Sequence, residues 1–511
     1  TVTSGATNTN LSVTGGSTAG STIVDVNSGT TPSVTSGASD ATLTVTNIAA
    51  SPATLVMSKA GSATSASNVN ISGDANGATA DAASVSGSGI ITLDSDGTGG
   101  DQIEALTVSG NGAAVTFNDS GAPTSLTMTG FQDITYVTTA ARADAMTAIT
   151  NSTTAGTQTI EVGAPGGATD FSTIAADVIN INGAVAATST QTFLDGANVK
   201  FGAAQHNAFK LDISDGNSAT TQATGSLNLD LAKDTMGAIT IDQTASSDNL
   251  TTLNLNATAA QTNLTIIDNN TDAAKAVTVN VSGSVAVTAG ATFEAAHLNA
   301  ASMTGALNAT LDPSLLQITG GSGNDTFRGV AADGKYVLAG GAGNDQFITA
   351  GSPSKNMSIV MSGIEVIDVT AGWAHDFAGS QLHQGTFIIK DTGSGSTIQI
   401  DDTTALDIST LDLSGLSFQN AATKMVVNAA TALDGTKFTT AQAVTITGSA
   451  NADTITGTAN ADTLGGGGGA DTLNGAAGAD NINGGAGIDT ITGGAGADTI
   501  TTGAGADIVS V

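Results

Sequence analysis

The residues best placed to do chemistry in this chain are aspartates that recur every nine residues towards the C-terminal end. Seven nonapeptides run without insertion or deletion from Gly448 to Ser510, and each has aspartate at its sixth position. Carboxylates at a fixed spacing in a glycine-rich backbone offer the oxygen ligands that Ca²⁺ prefers. The candidate calcium ligands of this array are Asp453, Asp462, Asp471, Asp480, Asp489, Asp498 and Asp507.

The eighth position of every nonapeptide is a branched aliphatic residue. One inward-facing aliphatic side chain per nine residues predicts a three-residue strand, and the residues before it must turn the chain. Glycine at the fourth position of the last four repeats can take positive φ, and Asn451 and Asn460 there supply the next most tolerant residue type. We therefore expect two nonapeptides to close one coil, with strands on opposite walls.

Aspartates two repeats apart should form ladders along each edge of the stacked coils. At a spacing of about 4.8 Å, like charges repel by roughly 1 kcal/mol in water and several-fold more near a protein surface. No Lys, Arg, His or Glu lies between Gly448 and Val511 to offset this repulsion. A divalent cation between successive coils would remove it, so cation binding should be coupled to folding.

The nonapeptide Gly484-Gly-Ala-Gly-Ile-Asp-Thr-Ile-Thr492 resembles the repeat-in-toxin (RTX) motif. The resemblance implies that the seven aspartates are side-chain ligands, that the turns supply carbonyl ligands, and that the array holds roughly five sites between coils. Two more copies stand apart, with Asp325 and Asp345 at the ligand position. A weaker calcium candidate is the acidic, glycine-rich stretch 94–104. Ordinary polar turns without metal are the alternative for every one of these motifs.

Elsewhere, apolar residues alternate with small polar ones, as in Thr22–Val26 and Leu227–Leu231, which predicts short β-strands. From residue 226, asparagines stand beside the apolar positions, as expected of a parallel β-solenoid with asparagine ladders. Ala-rich segments around Arg142–Ile149 and Phe171–Ile179 could form short helices. The predicted fold is all-β, with short-strand β domains and a parallel β-solenoid that end in a calcium-binding RTX parallel β-roll.

The sequence predicts five segments along the chain. They are 1–137, a short-strand β domain; 138–225, a mixed segment with short helices; 226–318, solenoid-like; 319–440, the paired RTX motifs with a further β segment; and 441–511, the RTX β-roll.

Composition argues against several classes of partner. Lys and Arg total 12 against 44 acidic residues, a net charge of -32, whereas a nucleic-acid partner requires a basic face. No apolar run approaches the ~20 residues of a membrane-spanning helix. Cysteine is absent, so disulfides and thiolate metal sites are excluded.

Enzyme motifs are also missing from the sequence. A secreted RTX zinc protease would need His-Glu-x-x-His and an RTX lipase Gly-x-Ser-x-Gly, and neither occurs. For Gly372–Asp376, which contains the single Trp and a His, a loop anchored by Trp373 is favoured over a metal or acid–base cluster. We therefore expect a protein that is not an enzyme.

The segment Met361-Ser-Gly-Ile-Glu-Val-Ile-Asp-Val-Thr370 resembles a strand motif of RTX-type surface-layer proteins of Gram-negative bacteria, whose Thr-, Ala-, Gly- and Asn-rich, cysteine-free composition is also similar. The resemblance implies a two-dimensional lattice of copies of this chain on the cell exterior, calcium-dependent contacts, type I secretion and a cell-surface polysaccharide as anchor. The alternatives are a fragment of a large RTX adhesin or biofilm-matrix protein, and a calcium-stabilised secreted β-domain of unassigned role.

Overall fold

The structure is a computed structural model of the 511-residue chain. The residues that it describes are 2–3, 10–14, 21–25, 31–38, 40–48, 53–62, 65–73, 81–95, 103–121, 123–151, 155–202, 208–214, 225–232, 238–241, 250–268, 277–293, 297–310, 317–329, 335–348, 358–369, 374–377, 388–390, 397–401, 417–418, 424–428 and 443–511.

The chain divides into two compact units, Thr1–Val279 and Asn280–Val511. This division falls inside the predicted segment 226–318, and the division into five segments stays a prediction. The described residues contain one α-helix, α1 (Ala140–Ala145). No helix in the described part of the chain has the length and apolar character needed to cross a membrane.

The first unit is built from β-strands, most of them short. They are β1 (Val2–Thr3), β2 (Asn10–Thr14), β3 (Ser21–Asp25), β4 (Thr31–Thr35), β5 (Thr42–Ile48), β6 (Ala53–Val56), β7 (Ser67–Gly73), β8 (Ala82–Asp94), β9 (Ala105–Asp119), β10 (Ser125–Thr129), β11 (Ile134–Thr138), β12 (Ala148–Asn151), β13 (Gln158–Val162), β14 (Thr169–Phe171), β15 (Val178–Ile181), β16 (Thr190–Leu194), β17 (Asn198–Phe201), β18 (Phe209–Ser214), β19 (Gly225–Leu231), β20 (Ile239–Ile241), β21 (Leu250–Ala257) and β22 (Gln261–Asp268).

Strand β23 (Thr278–Gly283) includes the division between the units, and the strands after it belong to the second unit. They are β24 (Val287–Phe293), β25 (His297–Met303), β26 (Leu307–Thr310), β27 (Gln317–Thr319), β28 (Thr326–Arg328), β29 (Lys335–Ala339), β30 (Gln346–Ile348), β31 (Ser358–Ser362), β32 (Val366–Asp368), β33 (Ala374–Phe377), β34 (Ile388–Lys390), β35 (Thr397–Asp401), β36 (Ser417–Phe418), β37 (Lys424–Asn428), β38 (Val444–Thr447), β39 (Thr454–Thr456), β40 (Thr463–Gly465), β41 (Thr472–Asn474), β42 (Asn481–Asn483), β43 (Thr490–Thr492), β44 (Thr499–Thr501) and β45 (Ile508–Ser510).

Strand pairing is parallel, and over much of each unit a strand pairs with the second strand after it. Strands β1 to β13 all belong to one sheet, but from β13 onward successive strands of the first unit alternate between two sheets. There β13 pairs with β15 and β14 with β16, so two strands make one coil. The coils there differ in length: Asn180 lies 19 residues beyond its cross-coil partner Glu161, and Asn228 lies 30 residues beyond Asn198. This parallel β-solenoid confirms the predicted all-β fold class.

The alternating residue pattern determines which side chains are buried. In β19 the side chains of Leu227, Leu229 and Leu231 are buried, while the polar residues between them are half-buried. Such period-two alternation follows from the pleat of the strand. Aromatic side chains stack between coils in the same interior, with the ring centroids of Phe171 and Phe193 5.4 Å apart.

Asparagine side chains form the ladder that the sequence predicts. Asn228 Nδ2 donates to Asn198 Oδ1 at 2.9 Å, and Asn254 Nδ2 donates to Asn228 Oδ1 at 2.7 Å. In the second unit, Asn299 Nδ2 donates to Asn280 Oδ1 at 3.0 Å. Amides can make such chains because each carries both a donor and an acceptor.

The helix predictions are only partly right. The first Ala-rich segment overlaps α1, where the Oγ1 of Thr139 accepts from the N–H of Arg142 at 3.3 Å, but its end lies in strand β12. The second prediction is wrong because Phe171 and Ile179 are buried in two different strands, β14 and β15. Ala175 between them is exposed, so no apolar helix face exists there.

The predicted loop at Gly372–Asp376 is also wrong in part. Ala374–Phe377 is strand β33, which pairs in parallel with β35. Gly372 and Trp373 lie outside the described residues.

Candidate calcium sites

The nonapeptide array folds into coils of the predicted length. Strands β39, β41, β43 and β45 form one sheet, and β38, β40, β42 and β44 belong to another. Thr454 pairs with Thr472, which is one coil further on, and hydrogen-bonded residues of neighbouring coils are 18 residues apart. Two nonapeptides therefore close one coil, with strands on opposite walls. The five aliphatic residues from Ile455 to Ile491 at the eighth position are buried, whereas Val509 is exposed.

The aspartates form the predicted ladders. Asp471 Oδ1 accepts from the backbone N–H of Asp453 at 2.8 Å, and Asp489 Oδ1 accepts from the N–H of Asp471 at 2.9 Å. The same contact recurs at 2.8–3.0 Å along both edges. One ladder comprises Asp453, Asp471, Asp489 and Asp507, and the other comprises Asp462, Asp480 and Asp498.

The other carboxylate oxygen, Oδ2, is buried without a hydrogen-bond partner in Asp471, Asp480 and Asp489. An unsatisfied buried acceptor costs about 1–3 kcal/mol, and more when it is charged. A methyl group built on Gly475 would collide with Asp480 Oδ2 and would lie 2.5 Å from the carbonyl oxygen of Gly493. The carboxylate of one coil and a carbonyl of the next therefore face a small space that glycine leaves open.

The first two repeats satisfy their aspartates differently. The N–H and Oγ of Ser449 donate to Asp453 Oδ2 at 2.7 and 3.1 Å. The N–H and Oγ1 of Thr458 donate to Asp462 Oδ2 at 2.5 and 3.1 Å. These two repeats begin the ladders of the array, so the first aspartate of each ladder has protein donors to its Oδ2, whereas the Oδ2 atoms of Asp471, Asp480 and Asp489 have none.

From the third repeat onward, the second position has a left-handed backbone. Its φ is 96° at Gly467, 74° at Ala476, 101° at Gly485, 102° at Gly494 and 96° at Gly503. In the third to fifth repeats the N–H of this position does not donate to the aspartate, whose Oδ2 is left facing the open space. Sequence reasoning missed this conformation, although the change from Ser and Thr to Gly at position two signals it.

The fourth position is left-handed only in the glycine-containing repeats. φ is 138° at Gly478 and 150° at Gly505, as predicted. The expectation that Asn451 and Asn460 take positive φ is wrong. Thr188 and Ala476 are the only non-glycine residues with positive φ in the described part of the chain. Their turns follow another path, in which the second residue binds the aspartate.

The separate motifs repeat this arrangement on a 20-residue coil. The N–H of Gly321 donates to Asp325 Oδ2 at 2.8 Å, and the N–H of Asp325 donates to Asp345 Oδ1 at 2.8 Å. Asp345 is fully buried and its Oδ2 has no partner, while Gly341 has a φ of 102°. A protein-satisfied aspartate again precedes one that faces open space.

Glu365 is a candidate that sequence reasoning missed. Its Oε2 accepts from the N–H of Asp345 at 2.6 Å, which is the contact that the next aspartate of a ladder would make. The signal was its position 20 residues after Asp345, the same spacing that separates Asp325 from Asp345.

Burial raises the pKa of several ladder carboxyls. The pKa of Asp345 rises to about 6 through burial; the donating N–H of Asp325 lowers it, and the charges of Asp325 and Glu365 raise it. Burial likewise raises the pKa of Asp325, Asp462, Asp471 and Asp480. Buried carboxyls of this kind favour a bound proton or a cation over a bare charge.

The structure describes only part of the remaining candidates, and in that part no three acidic or histidine side chains converge on one point. In the stretch 94–104, Glu104 Oε2 accepts from the N–H of Asp81 at 2.7 Å, and the acids at 96 and 101 lie outside the described residues. His297 lies in β25 with a buried, unpartnered Nδ1. His206, His383 and the side chain of His375 lie outside the described part.

The oxygen donors of the ladders fit calcium. Ca²⁺ takes six to eight oxygen ligands, including carboxylates and backbone carbonyls. No three acidic, histidine or cysteine side chains converge on one point among the described residues. A cation beside the unpartnered Oδ2 atoms would therefore take much of its coordination from carbonyls such as that of Gly493.

A family model of the RTX calcium-binding nonapeptide repeat matches residues 317–333, 445–473 and 474–509, in four copies. The chain carries RTX calcium-binding repeats. The match includes Asp325 and the array, and the geometry extends the same ladder to Asp345 outside the matched residues. RTX repeats bind Ca²⁺ and are typical of secreted proteins, many of them structural or adhesin-like, although some are toxins or enzymes.

No curated protein matches this chain.

Proposed function

We propose that this protein is a secreted structural protein whose copies assemble, through calcium-dependent contacts, into a surface-layer lattice on the cell exterior. The observation that carries the proposal is the pair of aspartate ladders with buried, unpartnered carboxylate oxygens inside a solenoid. A cell-surface polysaccharide is the proposed anchor of the lattice, and type I secretion is the proposed route of export.

The proposed side-chain ligands of calcium share one position in the coils. They are Asp325, Asp345, Asp453, Asp462, Asp471, Asp480, Asp489, Asp498 and Asp507. When bound, Ca²⁺ supplies positive charge between carboxylates of successive coils, and so converts mutual repulsion into cross-linking. Because calcium is scarce in the cytosol and abundant outside cells, these coils would fold after export.

Charge also supports calcium-dependent assembly. A net charge of -32 makes copies of the chain repel one another, so close contacts between them require bound cations. The RTX roll and the solenoid are typical of structural proteins, and the sequence lacks the motifs of RTX proteases and lipases. These observations favour a structural role over catalysis.

Electron microscopy of the purified chain tests the proposal, with circular dichroism recorded on the same samples. Samples would contain a few millimolar Ca²⁺, the same concentration of Mg²⁺, or a chelator; Mg²⁺ is the control because it demands a smaller octahedral site. We expect ordered sheets with Ca²⁺ alone, which dissolve when a chelator is added.

Two other outcomes would separate the parts of the proposal. Calcium-induced β-structure in particles that stay monomeric would overturn the lattice and favour an adhesin fragment or a secreted binding domain. Absence of any calcium-induced change would overturn the role of calcium as well.

A further inference from the structure

The strand segment after the two separate RTX motifs continues their ladder although it is no nonapeptide. Gln346 pairs with Thr326 on one coil and with Val366 on the next. Glu365 therefore occupies the column of Asp345. Its Oε2 accepts from the N–H of Asp345 at 2.6 Å, just as Asp345 Oδ1 accepts from the preceding aspartate at 2.8 Å.

The carbonyl group of Gly363 also occupies the position that the carbonyl group of an RTX glycine has in the array. The N–H of Gly340 donates to the carbonyl of Ser362 at 2.8 Å, which places Gly363 against Gly340. A methyl group on Gly340 would collide with the carbonyl oxygen of Gly363 and would lie 2.5 Å from Asp345 Oδ2. The same pair of oxygens, one carboxylate and one carbonyl, flanks Gly475 in the array.

We infer that Gly363 and Glu365 complete a Ca²⁺ site with Asp345, formed between an RTX coil and a coil that is not a repeat. Asp345 is fully buried and its Oδ2 has no partner, so the site contains an acceptor aimed into it. Nearby, Lys390 Nζ forms an ion pair with Asp368 Oδ2 at 2.9 Å, so this cation neutralises a different carboxylate.

The short turn between Gly363 and Glu365 explains why this position of the ladder has glutamate and not aspartate. In the RTX motif the first glycine and the aspartate, such as Gly340 and Asp345, have four residues between them, whereas a single residue separates Gly363 from Glu365. The extra methylene group of glutamate lets the shorter turn bring its carboxylate to the N–H of Asp345. The site thus ends the separate ladder with a different acid.

Hydrogen–deuterium exchange of the whole chain across a calcium titration tests the inference. We expect calcium to protect peptides within 335–369 and within 466–510. Glu365→Gln should raise the calcium concentration that half-protects 335–369 by about tenfold or more, a shift typical of losing a supporting ligand, without changing 466–510. Glu161→Gln is the matched control. That glutamate accepts from Asn180 at 2.9 Å and is far in sequence from both regions, so its substitution should change the calcium midpoint of neither.

A second variant keeps the test decisive if Glu365→Gln disturbs folding. Gly340→Ala retains both carboxylates but places a methyl group between Asp345 Oδ2 and the carbonyl oxygen of Gly363, and Gly340 has no positive φ, so it should produce the same shift. An unchanged calcium midpoint at 335–369 in both variants would overturn the inference.

The inference rests on the calcium binding proposed above but not on lattice assembly. Calcium protection of 466–510 without any at 335–369 in the natural sequence would overturn this site and leave the proposed function standing. Loss of calcium protection in both regions would overturn the proposed role of calcium itself.

Discussion

Ala476 gives the sharpest test of the backbone geometry of the roll. It occupies the second position of the fourth repeat, where the neighbouring repeats have glycine, and its φ is 74°. A left-handed conformation costs an L-amino acid roughly 1–2 kcal/mol because Cβ approaches the following carbonyl. We therefore expect Ala476→Gly to stabilise the calcium-loaded roll.

The expected gain in stability from Ala476→Gly is smaller than the strain energy of the left-handed alanine. Glycine loses more conformational freedom on folding than alanine, which offsets roughly 0.5–1 kcal/mol of the relief. The free energy of opening should therefore rise by about 0.5–1 kcal/mol, which slows exchange of the protected amides roughly 2–5-fold, since 1.4 kcal/mol is a factor of ten.

Hydrogen–deuterium exchange of peptides within 466–510 at saturating calcium would measure this change. Ala495→Gly is the matched control, because Ala495 lies at the third position of its repeat without positive φ, and glycine there should destabilise by about 0.5–1 kcal/mol. Gly485→Ala should destabilise by more than the strain alone, because its Cβ would collide with the carbonyl oxygen of Gly467.

This reasoning is refuted if the two glycine substitutions change protection in the same direction. If Ala476→Gly and Ala495→Gly both weaken protection, the second position is not left-handed in the folded roll. The ladder geometry derived from that conformation would then be incorrect.

Three further predictions concern the ladders. Asp480→Asn should raise the calcium concentration needed for folding, followed by circular dichroism, because one buried carboxylate of a cation site is lost. Gly475→Ala should raise the same midpoint without changing charge, because its methyl group fills the space between Asp480 Oδ2 and a carbonyl; an unchanged midpoint would show that no cation lies there. The calcium-free coils at Asp345, whose pKa is about 6 against about 4 in an unfolded chain, should be most stable below about pH 4 and lose stability as pH rises through 6. Calcium affinity should rise over the same interval, which isotherms at pH 5 and pH 7 would measure.

The sequence predicted the features that depend on residue type at a fixed spacing. Aspartate at the sixth position and an aliphatic residue at the eighth position of every nonapeptide predict an 18-residue coil with two aspartate ladders. The structure has this coil length and these ladders. Asn228 and its neighbours could be placed in a ladder because they lie beside the same apolar positions in successive strands.

Features that depend on backbone path or on contacts between coils could not be predicted in this way. The conformation of Ala476 follows from its neighbours in the stack, since alanine itself disfavours positive φ. Ser449 and Asn451 share a repeat in which the serine hydroxyl binds the aspartate, so the asparagine has no need of a left-handed turn. Glu365 was missed because its coil lacks the nonapeptide pattern. Its position 20 residues after Asp345 was the signal in the sequence, and the pairing of Val366 with Gln346 places it in the column of the ladder.

The two kinds of coil differ in what holds them together. Among its described residues, the coil formed by β19 and β20 buries five aliphatic side chains, the three leucines of β19 with Ile239 and Ile241. The RTX coil formed by β39 and β40 buries two, Ile455 and Leu464. Each buried aliphatic side chain contributes about 1.5–3 kcal/mol, so the RTX coil has less than half the apolar stabilisation of the other. RTX coils also carry aspartates whose charges repel one another, and in the later coils the Oδ2 atoms of Asp471, Asp480 and Asp489 have no donors. We therefore expect an RTX coil to need a bound cation for stability that a coil such as β19–β20 obtains from its apolar core, and we expect calcium to affect the folding of RTX coils far more than that of the other coils.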